Sequence, residues 1–430
     1  MSISGHQAEA FIHRLLEGHT LEELLDRLRP GPSGSFHRMP GGSLVTEEAI
    51  ARRWEISGAE ESRAALLDPG SLALAPQIAR NIENFIGCVK VPLGLAGPLR
   101  VHGLHAHGEY LLPLATTEAA LVASYARGAS LITEAGGCTA LLLSEGVTRS
   151  PGFVFRDLVE VSRFLAWALP RFEDFKAAAE TTTSHGRLEQ MKVTVEGNRV
   201  FFLLEFTTGD AAGQNMVTIA TDAVCAYILE HGPVVPQAWY VEANASSDKK
   251  ASGQAFTTVR GKKVTAEVTV PAELVKRRLH VDPTEIVGYY RMSAMGGILT
   301  GTIGIQGHFA NGLAALFIAC GQDAACVAEA AVGTNRFELT PEGDLYVAVT
   351  LPNLIVGTVG GGTGLPTQRA CLELMGLAGP GHARAFAEVC AGAVLAGEIS
   401  IAGAIAAGEF TRAHHKLARG REAARPEEAL

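Results

Sequence analysis

Between residues 151 and 243 the chain reads as helix, hairpin, helix and strand in close succession, and this order narrows the possible folds more than any other feature. Residues 156–179 carry apolar positions at helical spacing. MKVTVEGNRVFFLLEF alternates as two strands joined at Glu196-Gly197-Asn198, a helix is predicted over 215–230, and a last strand ends near Val241. A hairpin between two helices, closed by a strand, fits a small split-βαβ, ferredoxin-like module. Lying in mid-chain, it reads as an insertion into a larger domain.

The flanking sequence gives an α+β class. A helical N-terminal region (1–75) precedes a large, mainly helical domain built from 76–150 and 244–430, with the inserted module at 151–243. Helices are predicted over 8–28 and 47–67, and from Thr116 through TTEAALVASYARGASLITEAGG, with Thr116 or Thr117 as N-cap. FTTVRGKKVTAEVTV reads as a second hairpin. The 48 glycines cluster in the second half, where backbones or ligands pack closely. A net charge of −9 argues against nucleic acid and a polybasic membrane contact. Seven cysteines without a C-x-x-C pair suggest reduced core residues, and no metal site is expected. Met1–Ala10 is too polar for a signal peptide. Gly312–Cys320 is too short to span a bilayer, and Ala391–Ala407 is interrupted by Glu398, so a soluble cytoplasmic protein is expected.

Several stretches could carry chemistry. SSDKKAS sets Lys249 and Lys250 side by side after Asp248. Paired ammonium groups favour loss of one proton, whereas a carboxylate keeps both charged. Three readings stay open: a solvated turn, a Schiff-base lysine, or a charged lysine that stabilises an oxyanion while its neighbour holds an anionic group. PLATTEAALVAS places Glu118 at a helix start, either as a helix-dipole charge or as a partly buried acid that donates a proton. In LAALFIACGQDAACVAEAAV, Asp323 interrupts an apolar run, as a cap or as a buried carboxylate needing a cation. GDAAGQNMV offers backbone N–H groups to a phosphate, or a plain N-cap. In LPNLIVGTVGGGTGLP, Leu365 replaces the third glycine of a G-x-G-x-x-G fingerprint, so a conventional Rossmann site is not supported. His414 and His415, in EFTRAHHKLARG, belong to a solvated tail or fold over a site to protonate a leaving group.

Taken in order, ENFIGCVKVPLGLAGPL, PLATTEAALVAS, GDAAGQNMV, SSDKK, GHFAN, ACGQDAA, GTVGGGT and His414 resemble the 3-hydroxy-3-methylglutaryl-coenzyme A (HMG-CoA) reductases; ATTE, DKK and GQDAA resemble class I. The resemblance implies reduction of the HMG-CoA thioester to mevalonate and free coenzyme A with NADPH or NADH. It also implies a homodimer or higher oligomer with the site at the subunit interface. Lys249 would stabilise the oxyanion, with Asp323 holding it charged and linking it to Glu118. Glu118 would donate the proton when mevaldehyde becomes alcohol, and His414 would protonate the coenzyme A thiolate. Arg149, Asp248, Lys250, Asn311 and Arg291 would grip the hydroxymethylglutaryl part, and Ser124 and Arg127 the coenzyme. Asp210, Gly213, Gln214, Asn215, Thr183, Ser184, Gly360 and Gly361 would face the nicotinamide cofactor.

Some positions depart from the pattern. Ser184 stands where many class I relatives carry an arginine near the 2′-phosphate, which leaves NADH open. Glu242 replaces a serine that touches substrate. Met292 replaces a substrate-binding lysine, with Arg291 as the substitute, and Gly420 replaces a regulatory phosphoserine. NAD-dependent oxidation of mevalonate at the same site, action on a related acyl-coenzyme A, and a non-catalytic binder of coenzyme A metabolites are the alternatives.

Overall fold

The computed structural model describes residues 3–31 and 38–409; His414, His415 and Gly420 lie outside them. The chain forms two compact units, Met1–Cys88 and Val89–Leu430. In the first, the helical stretch expected over 8–28 is two helices, Gly5–Leu16 and Leu21–Leu28. Thr20 and Glu23 form a capping box that starts the second helix afresh. The stretch 47–67 also breaks, because Gly58 ends the helix Glu47–Ser57 in a left-handed conformation. Ile50, Trp54, Ala75 and Phe85 form this unit's core, and buried Arg53 donates to the carbonyls of Pro40, Gly42, Leu44 and Phe85.

The second unit is organised by one continuous sheet. Its strands are β1 (Leu93–Gly103), β2 (His107–Ala115), β3 (Cys138–Arg149), β4 (Gly152–Val154), β5 (Arg187–Glu196) and β6 (Arg199–Thr207). They are followed by β7 (Ala238–Tyr240), β8 (Gly261–Val270), β9 (Gly304–Ile305), β10 (Gly333–Leu339) and β11 (Leu345–Leu354). The order is β7-β4-β6-β3-β8-β11-β10-β9, with β1 on β3, β2 on β1 and β5 on β6. At one end, β7-β4-β6-β5 is antiparallel in split-βαβ order. Phe153, Phe155, Phe164, Phe175, Phe202 and Phe206 fill the core beneath it. The helix expected over 156–179 is interrupted at Leu169-Pro170-Arg171, since proline cannot continue the bonding ladder.

The sheet continues through the part expected to be mainly helical. FTTVRGKKVTAEVTV is not a hairpin: Gly261–Val270 is the single strand β8, held between β3 and β11. Gly261 is there for close approach, since a Cβ would lie 2.5 Å from the Leu354 carbonyl oxygen. Val264, Ala266, Val268 and Val270 face the core at the period of a strand.

Against this sheet lies the helix Ala383–Ala406, apolar and long enough to cross a membrane, with 83% of its most apolar window buried inside the protein. It is a core helix. Gly128, on the helix Leu121–Glu134, lets the two helices meet backbone to backbone: a Cβ there would stand 2.0 Å from the Ala396 carbonyl oxygen.

Candidate active site

The loop after β7 is held in an unusual conformation. Asn244, Ser247 and Lys249 have φ of 65°, 61° and 56°, which non-glycine residues adopt only when their surroundings compel it. The compulsion is electrostatic. Asp248 accepts from Arg149 Nη1 through Oδ2 (2.9 Å) and from Arg260 Nη2 through Oδ1. Burial works against its charge, but Arg260, Arg149 and Lys249 outweigh it and hold the carboxyl below its ordinary pKa. Glu242 accepts from Asn244 N (2.7 Å), Ser246 Oγ (2.8 Å) and Ser150 N (3.2 Å), and lies 3.4 Å from Arg149 Nη1. It therefore pairs inward with an arginine.

Lys249 reaches the other way, its Nζ 3.0 Å from Asp323 Oδ2. That hydrogen bond outweighs partial desolvation and raises the lysine above its ordinary 10.5. Lys250 is exposed and donates to the Asp248 carbonyl at 2.8 Å.

Two sequence expectations need correction here. Asp323 is not buried: the helix Phe309–Ala319 ends before it, Gly321 turns the chain at φ 68°, and the carboxylate is exposed while capping Ala325 N. Glu118 is not on a helix either. Ala120, at φ 70°, delays the helix to Leu121, leaving Glu118 exposed in a turn where its N–H donates to Thr116 Oγ1.

Glu118 accepts from Asn311 Nδ2 through both oxygens, at 3.1 and 2.9 Å. These two residues line a cavity of about 570 Å³ together with Ser124, Arg127, Tyr125 and His308. Ser124 Oγ lies 2.9 Å from Ser400 Oγ; Arg127 donates to the same Oγ at 3.0 Å and to the Ser400 carbonyl at 2.8 Å. The Lys249–Asp323 pair is not part of this wall. Asn311 sits near the start of the helix Phe309–Ala319 and Asp323 lies past its end, about 12 Å of helix intervening. Within one chain, Asp323 therefore does not link Lys249 to Glu118.

A third group gathers at the GDAAGQN loop. A parallel bridge joins Ala211 to Val359, and Gly357 allows the approach, since a Cβ there would sit 2.5 Å from Ala212 N. Gly213 (φ 76°) caps the helix Gln214–His231. Gly360 and Gly361 have φ of 73° and 54° and open space where a Cβ would point, so their backbone can meet a ligand. Asn215 is exposed in the first turn of that helix, and Gly186 packs on Met216, bringing in the exposed Ser184 and the half-buried Thr183, whose hydroxyl accepts from His185 N and Gly186 N. Asp210 is engaged elsewhere: it accepts from Gly381 N (2.8 Å) and Ala383 N (3.1 Å) at the start of the long core helix. Arg291 is exposed on the helix Pro283–Thr300, with no ion pair among the described residues.

The family model for hydroxymethylglutaryl-coenzyme A reductase matches residues 48–419. The chain belongs to this reductase family. A 3-hydroxy-3-methylglutaryl-coenzyme A reductase of Aeropyrum pernix is 43% identical over 411 residues, covering 93% of this chain and 96% of the relative. One from Methanothermobacter thermautotrophicus is 44% identical over 344 residues, covering 79% and 86%. Among solved structures, a class II reductase of Streptococcus pneumoniae bound to NADPH superposes with a TM-score of 0.61 at 19% identity, covering 83% of this chain and 96% of that one. At that identity the likeness is one of fold.

Four residues of this family member escaped the sequence reading. Arg260 looked like part of a hairpin. Glu329 was passed over in favour of Asp323, although it is the acid actually buried in that apolar run. Glu398, read only as an interruption of an apolar stretch, is 1% exposed and accepts from Gly307 N, His308 N, His308 Nδ1 and Asn335 Nδ2 beneath the cavity. His308 stood in GHFAN without an assigned role. Lone acids in apolar runs were the available signal for both glutamates.

Proposed function

We propose that the chain reduces the HMG-CoA thioester to mevalonate and free coenzyme A with two hydrides from NAD(P)H, as a class I-type enzyme. The observation that carries this reading is the Lys249–Asp323 ion pair in a chain that matches the reductase family over most of its length. Lys249, kept charged, stabilises the oxyanion formed at the thioester carbonyl. The thiolate that departs takes a proton from His414. Glu118, held by Asn311, protonates the oxygen when the resulting aldehyde is reduced. Lys250 and Arg149 lie beside Lys249 to hold the carboxylate of the acyl group, while Asp248 orders the loop; Ser124 and Arg127 receive the coenzyme in the cavity. The loops around Gly213–Asn215 and Gly360-Gly361, in the inserted module and beside it, hold the nicotinamide cofactor.

Glu118 and Lys249 occupy separate regions of one chain, which favours an oligomer that brings one copy's Glu118 to another copy's Lys249. The exposed face of Met292, Met295, Ile298 and Leu299 supports such pairing and would bring Arg291 towards a second copy.

The deciding experiment follows absorbance at 340 nm with HMG-CoA and either nicotinamide cofactor; oxidation of neither removes the reading. Ser184 carries no charge, and Arg187 is held 2.5 Å from Glu180. A lost charge-assisted contact to the 2′-phosphate is worth about 1.5–3 kcal/mol. NADH should therefore be used, without a strong NADPH preference. A preference for NADPH of a hundredfold or so would mean that another cation serves the phosphate.

The Asp323 partner also sets a pH expectation. It raises the lysine, so Asp323→Asn should lower the Lys249 pKa and move the alkaline limb of kcat to lower pH. An unmoved limb in that variant would separate Asp323 from the charge state of Lys249.

A further inference from the structure

Arg260 is 1% exposed. It donates from Nε to Glu329 Oε2 (2.6 Å), from Nη1 to the Thr148 carbonyl (2.6 Å), and from Nη2 to Gln214 Oε1 (2.8 Å) and Asp248 Oδ1. Glu329 is fully buried, and its second oxygen has no hydrogen-bond partner. A buried ion pair of this kind is rarely more stabilising than apolar residues of the same volume, so stability alone gives it little purpose. Its geometry gives a better one. Arg149 grips the other oxygen of Asp248 and also donates to Gln214, to its side-chain oxygen at 3.1 Å and its carbonyl at 3.3 Å. Two guanidinium forks thus clamp one carboxylate and share one glutamine. The carboxylate belongs to the residue before Lys249, and the glutamine begins the helix that follows the GDAAG loop.

We propose that Arg260, backed by Glu329, is a positioning residue. It fixes Asp248 so that Lys249 keeps its left-handed backbone and its hold on Asp323, and through Gln214 it ties the lysine loop to the cofactor-loop helix. A lysine at 260 would keep the charge but lose the fork that serves Glu329, Gln214 and Asp248 together. The inference rests on the reductase reading, whose own test is turnover by the unmodified protein.

The experiment is a double-mutant cycle of Arg260→Lys with Asp248→Asn on the full chain, with kcat and KM for HMG-CoA and a thermal melt for every variant. If Arg260 acts through Asp248, Arg260→Lys should lower kcat by roughly ten- to a hundredfold, the scale of a misplacement of about 1 Å, while KM moves by less than about threefold. In the Asp248→Asn background the same substitution should cost less than about threefold. Equal losses in both backgrounds would overturn the proposal and leave Arg260 a packing residue. Glu329→Gln, which keeps the volume and an acceptor for Nε, supplies a second cycle if Arg260→Lys fails to fold. Its loss of kcat must likewise shrink beside Asp248→Asn, or the proposal fails. An unmodified protein without turnover would indict the reductase reading instead.

Discussion

Replacing Lys249 by alanine should lower kcat by at least about 10²–10³, the range seen when a donor to a developing oxyanion is removed, with the fold left intact. The pair with Asp323 is nearly half exposed on both sides, 44% and 42%, so its loss costs the folded state little. Burial and melting temperature should therefore barely change while turnover collapses. The measurement is steady-state kinetics beside a thermal melt. Activity within tenfold of the unmodified protein would refute the oxyanion role. A large fall in melting temperature would instead make Lys249 a structural element of its loop.

The second large effect is expected at Glu398, through stability and binding together. Its carboxylate is buried and receives donors from Gly307, His308 and Asn335. Glu398→Ala strands those donors beneath the cavity at a cost of about 3–5 kcal/mol, the usual penalty for breaking a buried charged network. The denaturation midpoint should fall clearly. KM for HMG-CoA should rise, since Gly307 and His308 line the cavity. An unchanged midpoint in Glu398→Ala would show that those donors find water or other partners, and the network would lose its structural meaning.

These two sites differ in how far they could be read from sequence. Lys249, Asp323 and Glu118 stood out because charged residues in runs of small or apolar ones are few, and the motif order tied them to one family. The split-βαβ order was equally legible, because alternation in VTVEGNRVFFLLEF marks strands whatever surrounds them. Burial was not legible. Asp323 lies in an apolar run yet is exposed because Gly321 turns the chain, whereas Glu329, six residues on, is buried because Arg260, in the bend just before β8, comes to meet it. No local pattern announces a partner so distant in the chain. Glycine misled in the same way: FTTVRGKKVTAEVTV read as a hairpin, but its Gly261 marks where β8 and β11 pass too closely for a side chain. The large sheet was underestimated because its neighbours are distant in sequence, β8 pairing with β3 and β11 rather than with an adjacent strand.

Asp210 has a mechanical consequence. Its carboxylate grips the start of the helix Ala383–Ala406, and about 22 Å further on the same helix carries Glu398 and Ser400, which hold the cavity-lining His308 and Arg127. A helix clamped at both ends behaves as a stiff rod. Displacing the GDAAG loop must either break the bonds from Gly381 and Ala383 or carry the start of that helix with it, so the loop and the buried Glu398 network share one rigid element.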